Sequence, residues 1–310
     1  MKNLNNMKKL SMTIVIILLC TFTVFAQEEV DKTKPDPPTF VLKINKITKW
    51  LENEGFQIRR SFDGTKSETK PAAIAWNSDY ENEKFYTVID AGIKLIDFEL
   101  LPNSKIIWIA YPKTEWHRNT IDDVTKTKNN LSGGLGTELL YNGGHWYSRP
   151  VITGSFDYKK DFVKNLKTIQ YNIFASLQGY NVGEPGGQVK TGDDELIFRY
   201  YPYTGFEQYR SLGESGQKAS IWANRLYIEF FPISNKAYQY VQLTVDYTYR
   251  KVFSDNLYNN GNMKWLMLGL NFFPSGKTNL GLGLDYSQGE DPTSNFVKTK
   301  LLALGIKLKI

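Results

Sequence analysis

From Ala72 onward, large apolar side chains recur at every second position. Phe85, Thr87, Ile89, Ala91, Ile93 and Leu95 share one face of an extended chain, and Tyr86, Asp90, Gly92 and Lys94 share the other. Ile169, Tyr171, Ile173, Ala175 and Leu177 oppose Gln170, Asn172 and Ser176 in the same way. Trp222, Leu226, Ile228 and Phe230 oppose Arg225, Tyr227 and Glu229. Val241, Leu243, Val245, Tyr247 and Tyr249 oppose Gln242, Thr244, Asp246, Thr248 and Arg250, and the pattern continues through 263–273, 278–288 and 296–310. Successive side chains of a strand point to opposite faces, so each segment reads as a strand with one apolar and one polar face. Turn residues separate the segments: Pro102-Asn103-Ser104, Asn142-Gly143-Gly144, Ser234-Asn235 and Pro274-Ser275-Gly276. Longer polar connections fall near 119–128, 179–193, 207–217, 253–262 and 288–295.

The spacing predicts about twelve strands, with ten or fourteen as the alternatives, at 72–79, 84–98, 104–117, 130–141, 146–158, 165–178, 194–206, 218–231, 237–252, 263–273, 278–288 and 296–310. The fold class is therefore all-β, a single closed antiparallel transmembrane barrel over 72–310. Twelve strands put the 179–193 connection on the same side as the two barrel termini, where short turns are the rule. Either that connection is unusually long or the count is off by two. A soluble sandwich is the competing architecture. The last three strands decide against it, because their second face carries Gly269, Gly281, Gly283 and Gly305. Glycine is disfavoured on a wet strand surface and useful inside a narrow barrel.

Ahead of the barrel the pattern changes. Lys2, Lys8 and Lys9 precede the apolar run Met12–Cys20, and Val24-Phe25-Ala26 offers a cleavage site, so 1–26 reads as an export signal. Cys20 follows Leu19, which does not suit a lipid-attachment site. Residues 27–71 form an N-terminal periplasmic segment. Phe40, Ile44, Ile47 and Leu51 recur at helical spacing within it, which predicts an amphipathic helix over 39–54, on the periplasmic rim or as a plug in the lumen, with a strand as the alternative. Residues 61–71 read as a loop.

Composition agrees with a membrane barrel. Aromatic residues make up 14% of the chain, with 19 Tyr, 18 Phe and 7 Trp, yet mean hydropathy is only −0.39. A barrel whose strands face lipid on one side and a polar lumen on the other gives this combination, with aromatics gathered at the two interfaces. The formal charge of +6 comes with no conspicuous basic cluster, and nucleic acid is not an expected partner.

Candidate chemistry is sparse. His117 and His145 are the only histidines. Neither "WHRNT" nor "HWYS" places a hydroxyl where a His–Ser pair needs it, so both read as interfacial rings and no enzyme activity is expected. No cofactor or metal site is predicted, since two distant histidines make no ligand cluster. "GDDE" at 192–195 reads as a solvated strand start. The charges on the polar faces carry more information. Arg199, Arg225, Glu229, Asp246, Arg250 and Asp285 are the candidate lumen-lining residues, joined by Lys94, Lys307, Lys309, Glu138, Asp90 and Asp157. Arg225 and Arg250 are expected to pair with Glu229 and Asp246, or to stand free and set ion selectivity.

The final strand puts Leu302, Leu304, Ile306, Leu308 and Ile310 on one face and Lys307 and Lys309 on the other. It resembles the C-terminal assembly signal of bacterial outer-membrane proteins, although that signal usually ends in Phe and here the last residue is Ile310. With the Phe25-Ala26-Gln27 junction and the terminal "GIKLKI", the chain resembles porin-type outer-membrane proteins of the Bacteroidetes group. The resemblance implies an outer-membrane location, with membrane lipid and the outer-membrane assembly machinery as partners; it names no substrate, and a small solute is the partner expected of a channel. Two functions stay open: a porin or passive channel, and a structural or interaction barrel that binds a partner through its loops or N-terminal segment.

Overall fold

A chain that alternates apolar and polar side chains buries neither face alone, so each segment must pair edge to edge until no edge remains. The computed structural model describes residues 56–310 except 66–67, 69, 80–83, 102–104, 122–126, 142–148, 180–196, 214–216, 235–238, 258–260, 275–279 and 309–310. In chain order the strands are β1 (Gln57–Arg59), β2 (Ala72–Asp79), β3 (Lys84–Lys94), β4 (Phe98–Glu99), β5 (Ile106–Asn119), β6 (Asn129–Tyr141) and β7 (Arg149–Asp161), then β8 (Leu166–Gln178), β9 (Ile197–Ser211), β10 (Lys218–Ser234), β11 (Gln239–Asp255), β12 (Met263–Phe272), β13 (Leu280–Asp291) and β14 (Val297–Leu308). All neighbours are antiparallel. β14 pairs with β2, from Leu301 opposite Asp79 to Leu308 opposite Ala72, and β3 pairs with β5, which closes the ring. At one rim the short β1 continues the β2 stave along β3 and the short β4 continues the β3 stave along β5, so the barrel has twelve staves.

The faces fall as the alternation requires. Outward positions expose Ile74, Trp76, Leu135, Phe156, Tyr171, Ile173, Trp222, Leu243, Leu270, Leu284 and Ile306. Such a continuous apolar exterior is stable only against hydrocarbon or another apolar surface. The glycines at 269, 281, 283 and 305 are buried on the inward face. Gly283 lacks free room, however. A side chain there would meet Asn271 and Lys307, so even a serine displaces lumen side chains.

Strand β9 runs to Ser211, and β11 and β13 run to Asp255 and Asp291. Parts of 207–217, 253–262 and 288–295 that read as polar connections are therefore strand. They escape the apolar signal because these staves rise past the apolar band and are polar on both faces. At this far end the connections are short, including a turn at 162–165 and a 3-10 turn at Pro292–Ser294. At the end where the barrel termini lie, the chain between Gln178 and Ile197 is the longest connection. A count of twelve therefore comes with an unusually long connection on the terminal side. The signal, the 39–54 helix, His145 and the 192–195 acidic run lie outside the described residues.

Candidate functional site: the occupied lumen

β1 and β2 lie along the same edge of β3. Arg59 stands opposite Gly92 and Ala73 opposite Asp90, only two residues apart on β3. They are one stave interrupted. Twelve residues separate Arg59 from Ala72; those described, 60–65, 68, 70 and 71, leave the wall and fold into the lumen, in the manner of a loop whose ends meet. The described residues of 61–71 have no regular structure, as the sequence suggests, but their place is inside the barrel. Gly92 makes this possible: a side chain there would lie 3.0 Å from the Phe62 ring.

Polar groups from both walls hold the segment. Arg60 Nη2 lies 2.5 Å from Asp285 Oδ2 on β13, and Lys307 on β14 holds the same carboxylate. The Phe62 amide donates to Glu115 Oε1 on β5 at 2.9 Å. The Thr65 amide donates to the Tyr203 hydroxyl at 3.0 Å, and that hydroxyl donates to Glu68. Glu68 is 1% exposed. Its other oxygen accepts from Arg225 Nη2 at 2.8 Å, while Arg225 Nε donates to Asp246 Oδ1 at 2.7 Å. Lys70 Nζ completes the cluster, 3.0 Å from Asp246 and 3.5 Å from Glu68. Arg225 also lies over the rings of Tyr203 and Tyr227, at 5.0 and 5.3 Å. Burial and the neighbouring Arg225 disfavour the Lys70 ammonium. Asp246, Asp63 and Glu68 outweigh them, so Lys70 holds its proton more tightly than a free lysine.

All six candidate lumen residues have their side chains on the inward face. The structure joins Arg225 with Asp246. It does not join Arg250 with Glu229 or Asp246. Arg250 makes a two-point contact with Glu207 across β10, at 2.9 and 3.1 Å, because its direct neighbour there is the small Ala223. Glu229 lies opposite Arg199 in the register and 3.7 Å from its guanidinium. Asp285 belongs with Arg60 and Lys307. Neither Arg225 nor Arg250 is free to select ions in this conformation.

Arg60, Glu68, Lys70 and Glu207 are absent from the sequence-based set, because Arg60 lies just before an apparent loop, Glu68 and Lys70 lie in it, and Glu207 lies in an apparent connection. His117 is placed differently from expectation. It is buried in the lumen, with Nδ1 3.0 Å from Asp90 and Nε2 3.6 Å from Glu115. Its parity with Lys113 and Glu115 on β5 was the available signal for an inward face. Lys128 pairs with Asp90 and Lys113 with Asp157, both at 3.0 Å. Among the described residues no group of His, Cys, Asp and Glu is arranged to hold a metal ion.

A second obstruction closes the far mouth. The connection from Asp291 to Phe296 crosses the opening. Lys128 Nζ donates to Thr293 Oγ1 at 2.9 Å, and Asn130 Nδ2 donates to the Thr293 carbonyl at 2.5 Å. Asn295 Nδ2 donates to Asp161 Oδ2 at 2.5 Å. Phe296 packs edge-on against Tyr209, with centroids 5.6 Å apart, beneath the Arg250 guanidinium at 5.5 Å. A cavity of about 220 Å³ remains in the lumen, lined by residues of both obstructions and by both signs of charge.

No family model and no curated protein sequence matches the chain. Two solved structures resemble it at 11% identity. One is the beta domain of the Bordetella autotransporter BrkA, with a TM-score of 0.39 over 82% of this chain and 98% of that one. The other comes from a study of in-meso crystallization of membrane proteins, with a TM-score of 0.38 over 77% of this chain and 83% of that one. At these scores the likeness carries no argument beyond the pairing described above, and the chain is a closed, twelve-stave antiparallel β-barrel with an occupied lumen.

Proposed function

We propose that this is an outer-membrane barrel that works as a gated pore for small solutes, shut in the described conformation by residues 60–71. The observation that carries the reading is the interrupted stave. A lumen wide enough to need filling is filled by a segment that belongs to no full stave and is held mainly by ion pairs and hydrogen bonds, with Phe62 its one large buried apolar side chain among the described residues. Such contacts change with charge, whereas a packed core does not open by degrees. An outer-membrane location agrees with the apolar exterior and with the export signal and C-terminal pattern in the sequence. The reading assigns the chain no catalytic step and no cofactor.

Single-channel recording of the refolded chain in a planar bilayer tests this. The wild type is expected to show rare openings, and Glu68→Gln, which removes one anionic partner of Arg225 and Lys70, is expected to open more often. If both variants insert and neither conducts, the gated pore is wrong. The second reading, a structural or interaction barrel, then stands. Its support is the same lattice, which stiffens the wall and leaves the loops of the terminal end as the contact surface.

A further inference from the structure

Four staves of the wall end at the far rim in outward-facing cations. Lys160 on β7 stands directly opposite Lys167 on β8, and Arg210 on β9 directly opposite Lys218 on β10. Arg210 is also the direct partner of Ile169, two residues from Lys167, so the two pairs are diagonal neighbours. Directly opposed side chains on one face stand with Cβ atoms about 4.5–5.5 Å apart, diagonal ones about 7–8 Å, and opposed like charges repel. Lys167, Arg210 and Lys218 are exposed, and Lys160 is half-buried over the Phe162 ring at 5.0 Å. Among the described residues none of the four has a carboxylate within ion-pair distance. The nearby carboxylates of Asp161 and Glu207 point into the lumen and are occupied there by Asn295 and Arg250.

Below these cations the same outward faces are apolar. Tyr158, Phe156, Tyr171 and Ile173 are 40–56% exposed, and Phe156 meets Tyr171 edge-on at 5.2 Å. A lone interfacial lysine needs no ligand, since its stem covers apolar surface while its ammonium reaches water. Two opposed like-charged pairs placed side by side are a different arrangement, because they repel unless an anion lies between them.

We propose that this patch binds the phosphate group of an anionic lipid, whose acyl chains lie along Tyr158, Phe156, Tyr171 and Ile173. The inference rests on the reading that the barrel sits in a membrane. Charge complementarity selects the phosphate, and the continuous apolar strip beneath selects a lipid over a free anion.

The test uses the refolded full chain. Flotation with phosphatidylcholine vesicles establishes insertion, and native mass spectrometry from detergent then reads lipid retention. Phosphatidylglycerol is expected to be retained about tenfold or more over phosphatidylcholine, given about 1 kcal/mol for each basic side chain at an anionic surface. The variant Lys160→Gln/Lys167→Gln/Arg210→Gln/Lys218→Gln is expected to lose that preference. A control, Lys251→Gln/Lys264→Gln/Lys298→Gln/Lys300→Gln, removes as many outward cations from other staves and is expected to keep it. Equal loss in both variants, or no preference in the wild type, overturns the proposal. Competition by millimolar inorganic phosphate overturns the lipid assignment in favour of a free anion. Failure to float overturns the membrane reading itself, and flotation without lipid preference overturns the lipid site alone.

Discussion

The two obstructions in the lumen rest on different physics. The described residues of 60–71 are held by charged side chains of opposite walls, Asp285, Arg225, Asp246 and Glu115, with the Tyr203 hydroxyl adding a neutral donor and acceptor. The 291–296 connection is held chiefly by single hydrogen bonds, from Lys128 and Asn130 to Thr293 and from Asn295 to Asp161, and by one aromatic pair, and its ion pair, Lys128 with Asp291, is loose at 3.8 Å. It is also part of two staves, so it can loosen but not leave. Its backbone carries local strain, because Asn295 and Phe296 are successive non-glycine residues at φ 54° and 61°. A closure held by buried ion pairs collapses when one partner is removed. A closure held by single hydrogen bonds and covalent continuity fails gradually.

Arg225→Ala should give the largest effect, because it strips partners from the buried Glu68 and from Asp246. A loss of about 3–5 kcal/mol is expected, read as a shift in urea unfolding of the inserted barrel. A loss below that of any cap variant would reverse the ranking of the two closures. Leu304→Arg calibrates the outer wall independently of both. Placing a cation on the lipid face should cost about 2–4 kcal/mol, read as reduced refolding yield into vesicles, and tolerance at this position would mean that the faces are assigned backwards.

Phe296→Leu should cost less, about 1 kcal/mol, because an apolar side chain still fills the site and only the ring contacts, chiefly the edge contact with Tyr209, are lost. Thermal unfolding should show a small drop, and pore openings should lengthen only if the cap limits conduction. Asn295→Gly should matter least. It gives up a hydrogen bond worth about 1 kcal/mol and relieves a left-handed residue of comparable cost. A large destabilisation by this change would show that the Asn295–Asp161 contact, rather than backbone geometry, shapes the cap.

Most of the wall was legible from alternation alone. The 72–79 strand has the bounds expected of it, and the faces of Arg225, Glu229, Asp246 and Asp285 follow from parity, because a strand's period of two leaves a side chain only two directions. The far ends of β9, β11 and β13 were not legible, since past the apolar band both faces are polar and the pattern that marks a strand disappears. Residues 61–71 were legible as a loop but not as a plug. Nothing local in "SFDGTKSETKP" distinguishes a loop in water from one whose charges meet Arg225 and Asp246 across the lumen.

The sequence by itself determined the staves, their two faces and the approximate number that must close, because these follow from near-neighbour chemistry along one strand. Tertiary structure alone decided which charges meet. Arg250 finds Glu207 two staves away, Arg60 finds Asp285 far along the chain, and four scattered cations, Lys160, Lys167, Arg210 and Lys218, become one patch. Each of these contacts depends on register and closure of the whole ring, which set the distance between residues that no spacing along the chain relates.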